Sequence, residues 1–463
     1  MSTQDDTAYR GISLWHDSLP SSLHPRAALP GDREFDVAIV GAGYTGLWTA
    51  YYLARQDPGL RICVLEREVA GFGASGRNGG WCSAIFPTSL RKIAGTAGRH
   101  AAIAMQQAMN DTVGEIAEVV RDEDIDCDFA HGGYLSVARN AAQLTRAQAE
   151  VAGWREWGFG DDHMRLLPAQ EVDSKVRMSG ALGATFTPHC AALHPAKLVR
   201  GLADTVQARG VALFEHTEVT GIEPGLVRTQ HGTVRAGSIV VATEGYTPDL
   251  PGEHRSLIPM YSLMVATEPL PASWWEQSGL EQRETFSDKR HLRIYGQRTA
   301  DDRIAFGGRG APYHFGSRIS PAYDHAPRVH AMLRSILADL FPGLRTARFT
   351  HEWGGNLGIP RDWYPSVRYD TRSGIGWAGG YVGDGVATAN LAGRTLADLI
   401  AQRDSALTAL PWAGRTSPRW EPEPLRWLGV NAVTALFAAA DWTESRTGRP
   451  SRTARTFWRA LGH

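Results

Sequence analysis

Phe35-Asp36-Val37-Ala38-Ile39-Val40 is a short, almost continuous apolar run, and Gly41-Ala42-Gly43-Tyr44-Thr45-Gly46 follows it at once. Such a run fits a parallel strand buried on both faces. From Tyr44 to Gln56 the apolar residues Leu47, Ala50, Tyr51 and Ala54 recur at helical spacing until Asp57-Pro58-Gly59 stops the helix. Arg61 to Glu66 (RICVLE) is the second strand, which completes a βαβ unit of about 30 residues. GxGxxG therefore stands where a strand hands over to a helix. Gly41 permits the tight turn, Gly43 lets a pyrophosphate approach the backbone, and Gly46 brings helix and strand together. Tyr44 and Thr45 open a helix whose N–H groups and dipole favour phosphate. Glu66, 20 residues after Gly46, is placed to accept hydrogen bonds from a ribose, and an acid there argues against NADP. The unit predicts dinucleotide binding without choosing between FAD and NAD.

Outward from this unit, residues 1–34, rich in Pro and Ser, show neither helical nor strand periodicity and are expected to form an extended arm. Thr88 to Glu123 predicts two helices, Phe129 to Ala138 a strand pair with a glycine turn, and Ala141 to Trp157 a further helix. A helix over Pro195 to Arg209 and three extended segments ending in SIVVAT suggest a return to the first sheet. Residues 257–310 hold further strands, expected to be antiparallel. IGWAGGYVG then leads into a helix, Val386 to Ala401, and a final helical pair is expected near 425–440 and 451–460.

Composition narrows the class. The 463 residues carry 48 basic and 49 acidic side chains, so no global field recruits nucleic acid or an anionic membrane. Glycine, at 50 residues, is about half again its average share, which suggests many tight turns. The four cysteines (Cys63, Cys82, Cys127, Cys190) lack CxxC spacing, and the N-terminus lacks a basic flank and an apolar core. Neither a disulfide scaffold nor a secretory signal is expected. The longest apolar stretch, about Leu428 to Ala440, is too short for a membrane span. The expectation is a soluble, cytoplasmic protein.

Gly71-Phe-Gly-Ala-Ser-Gly-Arg-Asn-Gly-Gly80 is too polar and glycine-rich for a regular strand or helix, and it lies a few residues past Glu66. Together with FDVAIVGAGYTGLWTAYYLA, SIVVATEGYTPDL, RIAFGGRG and GGYVGDGVATANLAGRTLADLI, it resembles the D-amino-acid-oxidase-type FAD oxidoreductases. The blocks run in that family's order over about residues 35–402, and the ASGRNGG and GYVGDGV forms most resemble its γ-glutamylputrescine oxidoreductase branch. The resemblance implies an α/β fold: a Rossmann-like FAD-binding domain with a parallel central sheet (35–100, 190–250 and 350–403), plus a cap domain on a mixed or antiparallel sheet (101–189 and 251–349). The arm (1–34) and a helical extension (404–463) flank them. It implies that Arg67, Gly73, Ala74, Ser75, Arg77, Asn78, Gly79 and Gly80 hold FAD beside the glycine motif, with Val219 at the adenine and Ala242 and Thr243 on another strand. Gly380, Gly383, Asp384, Gly385 and Val386 would then bring the last long helix to the flavin pyrimidine edge. Some members tether flavin to a late cysteine or an early histidine. No cysteine follows Cys190 and no histidine adjoins Trp81-Cys82, so non-covalent FAD is expected. Cys82 reads as a buried inert thiol.

The implied reaction is oxidation of an amine C–N bond, with hydride passing from the α carbon to flavin N5 and the imine then hydrolysed. Such a site must help an ammonium shed a proton, which aromatic walls promote by excluding water. Trp353, Tyr295 and Tyr364 are the candidate catalytic residues, with Trp377 in the same implied region. Arg293, Arg298 and Arg361 are candidates for a substrate carboxylate. Lys289, in the polar run SDKRH, reads as a surface residue. His189/His194 and His325/His330 are five apart and carry no HExxH or Cys/His cluster, so no metal is expected. His194-Pro195 reads as a helix-entry turn. The partners expected are a small amine, of polyamine or γ-glutamylated type, and oxygen or another electron acceptor. A small amino acid such as glycine or sarcosine is the alternative. A non-catalytic flavin protein is a second alternative, and an NAD-linked dehydrogenase a weaker third.

Overall fold

The computed structural model describes the backbone of residues 3–460 and the side chains of residues 7–457. Arg33–Val40 is the central strand of the first sheet, as its apolar run requires. It pairs in parallel with Ile62–Leu65 on one side and with Gly232–Val241 on the other. The second pairing joins segments nearly 200 residues apart. Ala212–Phe214 and Ile375–Gly379 extend the parallel array, Ser366–Asp370 closes one edge antiparallel, and the hairpin Val219–Glu223/Leu226–Thr229 leans on Gly232–Val241.

The helix Tyr44–Gln56 packs against this sheet. It meets Gly385–Ile400, Pro195–Ala208 and the long helix Arg99–Asp122 in one core holding Leu47, Trp48, Met105, Met109, Leu202 and Leu396. Gly46 and Gly393 sit at the close approaches: a Cβ at Gly46 would stand 2.0 Å from the Gly41 carbonyl oxygen, and one at Gly393 2.6 Å from Trp48.

A second sheet of eight strands runs in the order Phe349–Pro360, Leu257–Thr267, Ile304–Gly308, Ile294–Arg298, Thr285–Asp288, Tyr134–Ala138, Gly183–Thr187 and Arg165–Pro168. Every pair is antiparallel except Thr285–Asp288 with Tyr134–Ala138. Its own core includes Leu135, Leu263, Phe286, Phe306 and Leu337. The molecule is thus an α/β protein with one mainly parallel and one mainly antiparallel sheet.

Several expectations are corrected. Residues 1–34 are not extended throughout. Thr3–Arg10 and Leu14–Asp17 are helical, the second capped by Ser13, and Leu14, Trp15, Leu19 and Leu23 are buried against the protein. The arm escaped recognition because four apolar residues over ten positions do not make a helical period. Phe349–Pro360, which the sequence assigned with the first sheet, pairs along its length with Leu257–Thr267 in the second. Arg99–Asp122, assigned largely to the cap, buries its apolar face in the first core. Phe129 to Ala138 is not a hairpin: only Tyr134–Ala138 is a strand, and Ala130 makes an isolated bridge to Ala192. Ala74–Arg77 forms a single helical turn inside the glycine-rich loop. No helix of the described residues is long and apolar enough to cross a membrane.

Candidate cofactor cleft

A deep cleft opens along the C-terminal ends of the parallel strands, the place where α/β sheets bind ligands. Its floor is the glycine motif: Gly41, Gly43, Tyr44 and Thr45 line it. Gly41, at φ +106°, is confined to glycine, and a Cβ there would meet the Ala242 carbonyl at 2.6 Å. The helix starting at Tyr44 and the turn starting at Ala74 both present N-termini to the cleft. Gly43 and Gly73 cap them without a side-chain acceptor, although Ser75 Oγ accepts the Tyr44 N–H at 2.9 Å. Gly383, Gly385 and Val386 bring a third helix N-terminus to the far wall. Three partly positive ends around one cleft suit a diphosphate.

Glu66 lies at the opposite end with Leu65, Thr217, Glu218 and Val219. Its carboxylate accepts the Ala42 N–H at 2.8 Å and the Glu68 N–H at 3.0 Å, so it clamps the glycine turn as well as facing the cleft. Burial is the main cause that lifts its carboxyl to about 7, against the pull of those two N–H groups. Arg67 stands over the Tyr246 ring at 5.2 Å and within 3.8 Å of Asp249, forming one rim.

Of the residues expected to hold the cofactor, Gly41, Gly43, Tyr44, Thr45, Glu66, Arg67, Gly73, Ala74, Ser75, Asn78, Val219, Ala242, Thr243, Gly383, Gly385 and Val386 line this cleft. Others stand behind it. Arg77 turns away: its Nε donates to the Phe72 carbonyl at 2.6 Å, and Nη1 pairs with Asp324 at 2.7 Å. Gly79 and Gly80 are kept small by side chains of the second sheet. A Cβ on Gly79 would stand 2.6 Å from the Tyr295 ring, and one on Gly80 2.0 Å from Gln297 Nε2, which donates to the Gly79 carbonyl at 2.7 Å. Gly380, at φ +78°, gives its N–H to Glu244.

Sequence reasoning missed Phe72, Glu244, Tyr246, Asn356, Leu357 and Tyr381, which also line the cleft. Tyr246 lies three residues past Thr243 in the motif already singled out, and its ring packs where a Cβ of Gly73 would be, at 3.1 Å. Glu244 joins distant segments by accepting the Gly380 N–H at 2.8 Å and the Tyr381 N–H at 3.2 Å, and burial lifts its carboxyl to about 7. Tyr381 reaches back to Thr45 across 2.8 Å.

Beyond Gly383 the cleft wall meets residues of the second sheet. A Cβ on Gly383 would stand 3.3 Å from Leu357 and 3.4 Å from Arg309 Nη2. Arg309 donates to the Val382 carbonyl. Asp384 stands at the N-cap position of this helix, but its side chain makes no capping hydrogen bond. Burial lifts its carboxyl to about 6, with Arg293 and then Arg309 pulling the other way. On the second sheet Tyr295 has its hydroxyl 2.7 Å from Ser262 Oγ and its ring edge-on to Trp81, which in turn lies 4.9 Å from Tyr134. Tyr295, Arg309 and Asp384 are all half-buried.

The other two aromatic candidates do not reach the cleft. Trp353 is buried against Trp15, and its indole N–H donates to the Arg77 carbonyl at 2.9 Å. Tyr364 packs between Phe86 and the Arg415 guanidinium in the first core. Trp377 lies with Val241 and Leu257 under Arg368. Arg298 and Arg361 pair with Asp302 and Glu421, and Lys289 with Glu150. His194 caps its helix by accepting the Lys197 N–H at 3.1 Å. All four cysteines are free and buried, and burial pushes the Cys82 thiol far above its usual range.

The family described as FAD dependent oxidoreductase (DAO) matches residues 36–399. The chain is similar to the gamma-glutamylputrescine oxidoreductase of Escherichia coli (strain K12), 32% identical over 385 residues that cover 81% of this chain and 86% of the relative. It is also similar to a probable oxidoreductase OrdL of Rhizobium meliloti (strain 1021), 30% identical over 86% of this chain and 90% of that one. Among solved structures, glycine oxidase from Geobacillus kaustophilus superposes with a TM-score of 0.69 at 22% identity, covering 82% of this chain and 98% of its own. L-proline dehydrogenase from P. horikoshii gives 0.67 at 19% identity, covering 83% and 98%.

Proposed function

The chain belongs to the family of FAD-dependent oxidoreductases and is an amine or amino-acid oxidoreductase, and on that premise we propose that it holds FAD without a covalent link and oxidises an amine carried on a longer chain, of polyamine or γ-glutamylated type. The residues of the cleft fit the cofactor. Glu66 offers a carboxylate where a ribose would lie, Gly41 and Gly43 leave the backbone bare, and three helix N-termini surround the middle. No cysteine faces this cleft among the described residues, which supports non-covalent binding. Bound FAD supplies a two-electron acceptor.

The observation that carries the substrate reading is Asp384: a carboxylate that neither caps its helix nor forms an ion pair within 4 Å, beside the cleft and close enough to Arg309 and Arg293 to feel both. It offers an arriving ammonium a counter-charge and a place for its proton. With its carboxyl lifted to about 6 by burial, it is ionised at neutral pH yet basic enough to take that proton. Tyr295, on the other side of Arg309 and packed edge to face with Trp81, offers an aromatic wall that would exclude water and favour the neutral amine. Arg309 adds a positive group suited to a carboxylate farther along the substrate. A γ-glutamylated amine carries both groups, and the 32% identity to the E. coli relative, against 23% by sequence alignment to the G. kaustophilus glycine oxidase, supports that class.

Arg309 also favours a second reading, a small amino acid such as glycine or sarcosine whose carboxylate it would hold. Anaerobic flavin bleaching by γ-glutamylputrescine, putrescine, spermidine, sarcosine and glycine decides. Fastest bleaching by a chain-borne amine supports the proposal; fastest bleaching by glycine or sarcosine reverses it. Steady-state assays with oxygen and with an artificial dye then identify the acceptor.

A further inference from the structure

The helix Leu425–Thr447 lies outside the residues that match the family. Its inner face is firmly held. Asp441 accepts the N–H groups of His291 and Leu292 at 2.7 and 2.9 Å, and Glu444 takes His291 at 3.0 Å and Arg146 at 2.7 Å. Phe437 stacks on His291, and Asn431 bonds Tyr313 in both directions. The helix therefore cannot roll to hide its other side.

That other side is apolar and bare. Among the described residues eight large hydrophobic side chains are exposed, and four of them stand on this helix: Leu425 (62%), Trp427 (38%), Leu428 (54%) and Trp442 (59%). Leu425, Leu428, Ala432, Ala435, Ala439 and Trp442 are all exposed and follow one another at spacings of three, four, three, four and three. A strict seam with a period of 3.5 is the pattern of one helix packing along another. A helix lying on a lipid surface carries a broader apolar face rimmed with basic residues, whereas this seam is flanked, besides Trp427, by Gly429, Ala438, Thr443 and Ser445, small side chains that permit close approach.

We propose that this seam is a two-fold interface with a second copy of the chain, in which the two helices pack antiparallel. The seam is complementary to itself in one register. Leu425 then faces Trp442 of the partner subunit, Leu428 faces the partner subunit's Ala439, and Ala432 faces the partner subunit's Ala435. Bulky layers close both ends and alanines allow approach in the middle, an isologous contact that ends at a dimer. Charge agrees with this direction. The next position of the seam is Arg446, exposed, with its guanidinium over Trp442 at 4.4 Å. The antiparallel register keeps the two copies of Arg446 at opposite ends of the pair, whereas a parallel pair would set Arg446 against its own copy.

The test uses the full-length, FAD-loaded protein. Light scattering after gel filtration across a dilution series should show a dimer. Leu428→Glu and Trp442→Glu should each weaken association by about a hundredfold or more, since each buries an unpaired carboxylate at the interface, while flavin content stays unchanged. The native cysteines are buried, so oxidation of Leu428→Cys/Ala439→Cys should cross-link two chains, and neither single variant should. A monomer at every concentration overturns the proposal. So does a dimer that survives both glutamates, cross-linking in a single variant, or a monomer that sediments with phosphatidylglycerol vesicles.

Discussion

Trp353 donates its indole N–H to the backbone carbonyl of Arg77 at 2.9 Å, and one residue farther on the Asn78 carbonyl accepts the Trp15 indole N–H at 2.8 Å. Two tryptophans, packed edge to face at 6.2 Å, thus hold consecutive carbonyls of the glycine-rich loop from behind. One belongs to the second sheet and the other to the N-terminal arm.

Trp353→Phe keeps the packing and removes one donor, leaving a buried carbonyl unpaired. A cost of about 1 to 3 kcal/mol is expected. Because Ala74, Ser75 and Asn78 of the same loop line the cleft, much of that loss should appear as weaker FAD binding, about five- to a hundredfold by flavin fluorescence titration. Unchanged affinity would show that the loop keeps its shape without the bond.

Glu66→Ala removes the carboxylate that holds the Ala42 and Glu68 N–H groups. Hydrogen bonds to a charged group are worth about 1.5 to 3 kcal/mol, so FAD affinity should fall about ten- to a hundredfold. Glu66→Gln, which keeps an acceptor, should recover part of it. Equal affinity in all three proteins would place the ribose elsewhere.

The glycines at the helix entrance should differ. Gly383 holds φ +105°, whereas Gly385 is not at a positive φ and meets only the Tyr381 ring at 3.3 Å. The glycine-only conformation thus sits at Gly383. Gly383→Ala should destabilise by about 1 to 2 kcal/mol and lower flavin content, with Gly385→Ala milder on both. Gly385→Val should still weaken FAD binding, because the residue lines the cleft. Thermal denaturation and flavin content rank the three.

Acid should loosen the arm. Burial is the main cause that lowers His16 to about 3 and His194 to about 4, helped at His16 by Arg77. Both stay neutral when folded but take up protons near pH 6.5 when unfolded, so their contribution to stability is full above that pH and falls as pH drops toward 4. Proteolysis should cut the first 30 residues faster at pH 4.5 than at pH 7.5. His16→Asn should reduce the difference, and equal cutting at both pH values would contradict it.

FAD should leave the protein on acid precipitation and appear in the supernatant. Flavin retained in the pellet would reveal a covalent link.

Neighbouring residues made the first sheet and half of the cleft readable. A buried strand, a glycine turn and a helix entrance all lie between Phe35 and Gln56, and their periods and steric needs are written in one short stretch. The same locality made Glu66, Ser75 and Gly383 legible. The sequence also held the seam of Leu425 to Trp442, but not that it faces outward, because an apolar stripe looks alike whether covered or bare. Tertiary structure alone decided that Glu244, Asn356, Leu357 and Tyr381 enter the cleft, that Trp353 and Tyr364 do not, and that Gly79 and Gly80 make room for Tyr295 and Gln297. These assignments depend on which face of Phe349–Pro360 meets the loop and on a strand pairing between segments nearly 200 residues apart. No local period encodes either relation; the burial of two separate cores fixes both.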